Sequence, residues 1–131
     1  MYEIHGAYGS TQILEGIIHT YFNNNLIICE KMAQAIVADR KKLVGDAVYP
    51  GLLFTQNVVA VNREALHFLQ STEGCCNLCA KAFLVQDKIN KLLFQQIIKR
   101  VHPQVPSRAF CSVQEAQQWL KTTFTAVHSI Y

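Results

Sequence analysis

"NLCAKAFLVQDKINKLLFQQIIKRVHP", Asn77 to Pro103, decides the architecture, because two periodicities meet in it. From Asn77 to Val85, Leu78, Ala80, Ala82 and Leu84 alternate with Cys79, Phe83 and Val85, so one strand is apolar on both faces. That pattern belongs to a sheet covered by helices. Lys81 is the one charge in it. At Asp87, a capping residue, the period changes: Ile89, Leu92, Leu93, Ile97 and Val101 recur at helical spacing, and His102-Pro103 ends the helix. Proline disfavours helical geometry in the residue before it. A buried strand feeding a helix implies a mostly parallel sheet joined by right-handed crossovers.

Working outward, "VYPGLLFT" (Val48 to Thr55) suits a second buried strand, also central. Asn62 to Gly74 opens on a capping asparagine, carries Ala65, Leu66 and Leu69 on one face and closes on glycine, so a three-turn helix is expected. Ile27 to Val44 places Ile28, Met32, Ala35, Ile36, Leu43 and Val44 mostly at helical spacing, with Gly45 as its stop. Residues 8–14 and 17–22 read as strands joined by the tight turn Glu15-Gly16, hence an antiparallel hairpin at or near a sheet edge. Downstream, Ser107 to Cys111 is a short strand. Ser112 and Glu115, at capping-box spacing, open a last helix with the stripe Ala116, Trp119, Leu120 and Phe124. The expected fold class is α/β, β-β-α-β-α-β-α-β-α, a single domain spanning residues 1–131 with a mostly parallel sheet and an N-terminal antiparallel hairpin.

The 131 residues suit one domain, and folding at that length hides roughly two-thirds of the unfolded chain's surface. Half the residues are apolar and 16% are charged, which excludes a disordered chain. A homodimer is the expected outlet for the apolar surplus, with the hairpin and the last helix, including Phe124, Val127, Ile130 and Tyr131, as its source. The net charge of +3 is scattered except in "DRKK" (Asp39 to Lys42) and "KRVH" (Lys99 to His102), too weak a footprint for nucleic acid. No apolar run approaches the length of a membrane span, and "MYEIHGAYGS" has neither a basic start nor an apolar stretch for export. A cytoplasmic protein without membrane insertion is expected.

"TEGCCNLCAK" (Thr72 to Lys81) crowds Cys75, Cys76 and Cys79 together. A structural zinc site needs about four ligands, and the second pair is missing. A redox pair sits at a helix N-terminus, whereas these cysteines run from a loop into a strand. Free thiols with packing roles are expected, Cys29 and Cys111 among them as small buried hydrophobes. The five histidines show no metal spacing and the six glycines form no phosphate-cradling cluster. No catalytic residue, metal or cofactor is therefore expected. The stretch that suits recognition is "TQNVVAVNREAL" (Thr55 to Leu66), where a buried strand gives way to a helix. In parallel sheets such loops face the crevice, and a helix N-terminus there offers free amides. Thr55, Gln56, Asn57, Asn62, Arg63 and Glu64 are the candidate partner-binding residues. An ordinary polar loop with Asn62 as N-cap is the competing reading.

The element order, together with "LLFTQNVVAVNREALHFL" (Leu52 to Leu69) and "KAFLVQDKINKLLFQQIIKRVHPQVPSRAFCSVQEAQQWL" (Lys81 to Leu120), resembles the STAS domains of anti-sigma-factor antagonists. Within them it is similar to bacterial STAS-like proteins that close with a P-x-R-x-F-x-x-x-x-x-A-x-x-W-L pattern, here Pro106, Arg108, Phe110, Ala116, Trp119 and Leu120. The likeness covers about residues 11 to 122 and rests mainly on packing and turn positions. It implies a non-enzymatic module that binds another, regulatory protein, switched by phosphorylation of a serine at the start of the helix after the third strand. The corresponding "VNREAL" offers Asn62, Arg63 and Glu64 and no hydroxyl, the nearest being Thr55 and Ser71, so binding without that switch is expected. Lipid-binding proteins of the CRAL-TRIO type share a related layout and supply the alternative, a small lipid or apolar-ligand binder. An aliphatic cavity of at least about 300 Å³ favours that alternative, and a packed interior favours protein contact.

Overall fold

Glu15 and Gly16 both adopt positive φ, 52° and 75°, the backbone of a two-residue turn whose twist matches the strands it joins. Around this turn the sheet is built. The computed structural model describes the backbone of residues 3–129 and the side chains of residues 3–123. The order is β1 (Glu3–Gly6), β2 (Gly9–Leu14), β3 (Ile17–Phe22), β4 (Leu26–Ile28), α1 (Glu30–Val44), β5 (Tyr49–Phe54), a 3₁₀ turn (Thr55–Asn57), β6 (Val58–Val61), α2 (Arg63–Leu69), β7 (Leu78–Leu84), α3 (Lys88–Val101), β8 (Ser107–Phe110) and α4 (Val113–Ser129).

The main sheet runs β1-β2-β3-β5-β7-β8. Its first three strands are antiparallel, and β3, β5, β7 and β8 are parallel. The expected α/β class, the hairpin near one edge and the central places of β5 and β7 are all observed. The fold departs from expectation in three places. β1 adds an edge strand beyond the hairpin, short and mixed in polarity. Ile27 and Ile28 lie in β4, not at the start of the helix. Asn25, at φ 57°, turns the chain, and Cys29 is the extended N-cap of α1. β4 pairs in parallel with β6, forming a small second sheet from a segment expected to be loop.

The third departure is α2, which stops at Leu69 instead of continuing to Gly74. The Ser71 hydroxyl donates to the Phe68 carbonyl at 2.5 Å and accepts from the Gly74 amide at 3.1 Å. A serine that offers the backbone these bonds competes with further helix.

Two cores flank the sheet. On one face Tyr8, Phe22, Leu26, Ile28, Ala33, Ile36 and Ala65 join the strands to α1 and α2. On the other, Ile17, Leu52, Ala80, Ala82, Phe110, Ala116 and Leu120 join them to α4. Burying a leucine such as Leu52 or Leu120, each without exposed surface, contributes about 2 kcal/mol. The terminal sequence pattern is packing: the Phe110 ring lies 5.6 Å from Trp119 and 5.2 Å from the Arg108 guanidinium.

The expectation of buried packing cysteines needs correction at two places. Cys111 is exposed and Cys29 half-buried, because both sit where a strand gives way to a helix and the chain leaves the core. The Phe124, Val127, Ile130 and Tyr131 side chains, on which the dimer expectation leaned, lie outside the described residues.

Candidate ligand site

Strand alternation sets the site's floor. Leu53 of β5, Phe83 of β7 and Val85 just after it point to the face away from α4. α3 crosses that face through Phe94, whose ring lies 4.8 Å from that of Phe83, and through Ile98, its one buried side chain among the described residues. The opposite wall comes from α1, β6 and α2. Between the walls lies a cavity of about 430 Å³, lined by Ile36, Leu53, Val61, Leu66, Phe83 and Ile98 among others.

Part of the lining is polar. Arg40, Gln70 and Lys81 reach the cavity around the Leu69–Cys76 turn. Arg40 is the fourth member of the buried stripe Ala33, Ile36, Val37, Arg40 on α1. Its Nη2 donates to the Gly74 carbonyl at 2.7 Å, and its Nε has no partner. The Lys81 ammonium donates to the Leu69 carbonyl at 2.8 Å, a favourable place for a cation because the end of α2 carries the negative pole of its backbone dipoles. Gln70 Oε1 is buried and unpaired. Arg40 and Lys81 are each 3% exposed.

Burial holds both cations below their ordinary pKa values, and the Cys76 and Cys75 thiols beside them counter it only in part. The adjacent carboxylate, Asp39, accepts a 2.9 Å bond from the Tyr8 hydroxyl. Burial first, with Asp39 assisting, pushes Tyr8 up to about 12. Among the described residues the ion pair found is His5–Glu3 on β1, so neither buried cation has a carboxylate partner.

The six residues singled out from sequence fall into two groups, separated by the four residues of β6, roughly 13 Å of extended chain. The Thr55 hydroxyl donates to the Leu84 carbonyl at 2.7 Å, and Asn57 Nδ2 donates to the Phe22 carbonyl at 3.3 Å. Gln56 offers its carbonyl to Gln86 at 2.6 Å. Gln56, Asn57 and Gln86 line, with Asn24 and Asn25, a polar hollow of about 330 Å³, and Thr55 and Gln56 touch the apolar cavity. At the far end of β6, Asn62 caps α2 by accepting from the Ala65 amide at 3.0 Å, while Arg63 and Glu64 are exposed. Arg40 and Lys81 were not among the six. Their signals were present, a cation at the fourth place of an apolar helical stripe and a lone charge in a two-faced apolar strand. Among the described residues no three His, Cys, Asp or Glu side chains gather as a metal-holding set. No described helix is long and apolar enough to cross a membrane.

Comparison with known proteins agrees with this architecture. A solved protein of the DUF3478 family from Shewanella loihica PV-4, described as uncharacterized with a SpoIIAA-like fold, superposes with a TM-score of 0.58. The match covers 91% of this chain and 94% of that one at 8% identity. The likeness carries the fold, that of the anti-sigma-factor antagonists and their relatives, and nothing about activity. No curated protein matches the sequence. The family described as "Domain of unknown function (DUF7793)" matches residues 11–124, from β2 through the first part of α4. The chain therefore belongs to the DUF7793 family, here with a SpoIIAA-like α/β fold.

Proposed function

We propose that this chain is a non-catalytic binding module that takes an apolar ligand between α3 and the sheet. The observation that supports it is the cavity of about 430 Å³ with aliphatic and aromatic walls, a volume within the range of small-molecule sites. α3 suits the role of a yielding wall. Ile98 is its one buried residue among those described, and Leu93 and Ile97, which line the cavity, remain 56% and 41% exposed. A helix tethered by few buried contacts opens at low free-energy cost.

A neutral fluorescent probe, N-phenyl-1-naphthylamine, tests this reading without reference to charge. Wild type is expected to bind it saturably, and Leu66→Trp, which fills the cavity from α2, to weaken it at least about tenfold while the far-UV spectrum is kept. Absence of saturable binding, or equal binding by the variant, overturns the reading.

Contact with a regulatory protein is the second reading, favoured by the exposure of Arg63 and Glu64 at the start of α2. Loss of a specific partner on Arg63→Glu, with the fold retained, supports it. Equal capture by both forms rejects it. Self-association is part of the same proposal, since Ile89 and Leu92 are 71% and 66% exposed on α3. Light scattering that returns a monomer of 14.8 kDa at all concentrations contradicts it.

A further inference from the structure

We infer that the ligand is a single-chain amphiphile with a carboxylate head, held between Arg40 and Lys81, whose aliphatic chain fills the cavity; this rests on the apolar-ligand reading above. Two cations that are each 97% buried face a mostly apolar space with no carboxylate of the described chain to balance them. Burying unpaired charge is costly, and an anion entering from outside removes that cost. The donors for it are in place. Arg40 uses Nη2 on Gly74 and leaves Nε free. Lys81 uses one donor on Leu69, and an ammonium has three.

The surroundings select the kind of anion. The Leu69 and Gly74 carbonyls and Gln70 Oε1 crowd the same turn, so a head rich in acceptor oxygens, such as a phosphate, would set several of them against protein oxygens. A carboxylate has two oxygens, which the guanidinium edge and the ammonium can each engage.

Isothermal titration of the full chain with decanoate, 1-decanol and decyl phosphate tests the inference, on wild type and on Lys81→Met. Wild type is expected to bind decanoate at least about tenfold more tightly than 1-decanol. Lys81→Met should lose most of that preference while binding 1-decanol at least as well as wild type, which also shows that it folds. Equal wild-type affinity for acid and alcohol, or a preference that survives in Lys81→Met, overturns the carboxylate head and leaves the apolar cavity standing. A tenfold preference for decyl phosphate over decanoate overturns the choice of carboxylate. Failure of all three to bind overturns the cavity reading and this inference together.

Discussion

The Lys81 ammonium and the Cys75 thiol share one acceptor, the Leu69 carbonyl, at 2.8 and 3.5 Å. Burial nevertheless keeps the Lys81 pKa below its ordinary 10.5, so the unfolded chain holds this proton more firmly than the folded one. Stability should therefore rise as pH climbs from the lowered folded value toward 10.5. Tyr8 acts in the opposite sense. Its folded value of about 12 against 10.0 withdraws stability above pH 10, and Cys79, whose pKa burial raises above 9.0, withdraws it above pH 9, so the rise is read below pH 9. Urea titrations of the ligand-free protein between pH 7 and 9 should show it, and Lys81→Met should flatten it.

Gly74→Ala should destabilise the fold by about 3 kcal/mol. A Cβ there would stand 2.0 Å from the Phe68 carbonyl oxygen and 2.8 Å from Leu69 Cα, both backbone atoms. The turn that presents the Leu69 and Gly74 carbonyls to the two cations would have to shift. Urea midpoints measure the loss, and decanoate affinity should fall with them.

His19 predicts sensitivity to acid. Its ring is stacked near Tyr21 and Phe54, with centroids at 6.3 and 6.0 Å, and its Nδ1 lies 3.0 Å from the Ile17 carbonyl. Burial lowers its pKa below 6.5. The neutral imidazole is favoured in the fold, so its contribution is present above pH 6.5 and is lost as pH falls through the lowered value. His19→Phe, which keeps an aromatic ring in the stack, should reduce the slope of stability against pH below 6.5.

Thiol titration of the native protein should give one fast cysteine, Cys111, which is exposed, and a slow one, Cys75, which is buried. Cys79 should also be slow, since burial raises its pKa and holds back the thiolate. Cys111→Ser should remove the fast phase. Elemental analysis should return no stoichiometric zinc, and one zinc per chain would contradict the packing role given to the cysteines.

Legibility in the sequence followed the strength of local signals. β7 and α3 were readable because each carries its own periodicity, α3 with a cap as well in Asp87, whose Oδ1 accepts from the Asn90 amide at 2.8 Å, and β5 because a short apolar run suits a buried strand better than a helix. β4 and β6 were not, since three- and four-residue strands hold too few alternations to register, and each is defined by a partner distant in the chain. The cavity was out of reach for a further reason. Leu53, Leu66 and Ile98 look like ordinary core residues in sequence, and only the incomplete closure of α3 over the sheet leaves space between them. Lys81 stood out as a charge but had no readable meaning until β7 placed it beside Arg40 of α1.

The most direct measurement is a calorimetric series of straight-chain carboxylates from hexanoate to tetradecanoate. If the chain lies in the apolar cavity, each added methylene should tighten binding about fourfold, the equivalent of about 0.8 kcal/mol, until the cavity is full and the gain stops. Affinity that does not change with chain length would contradict the account.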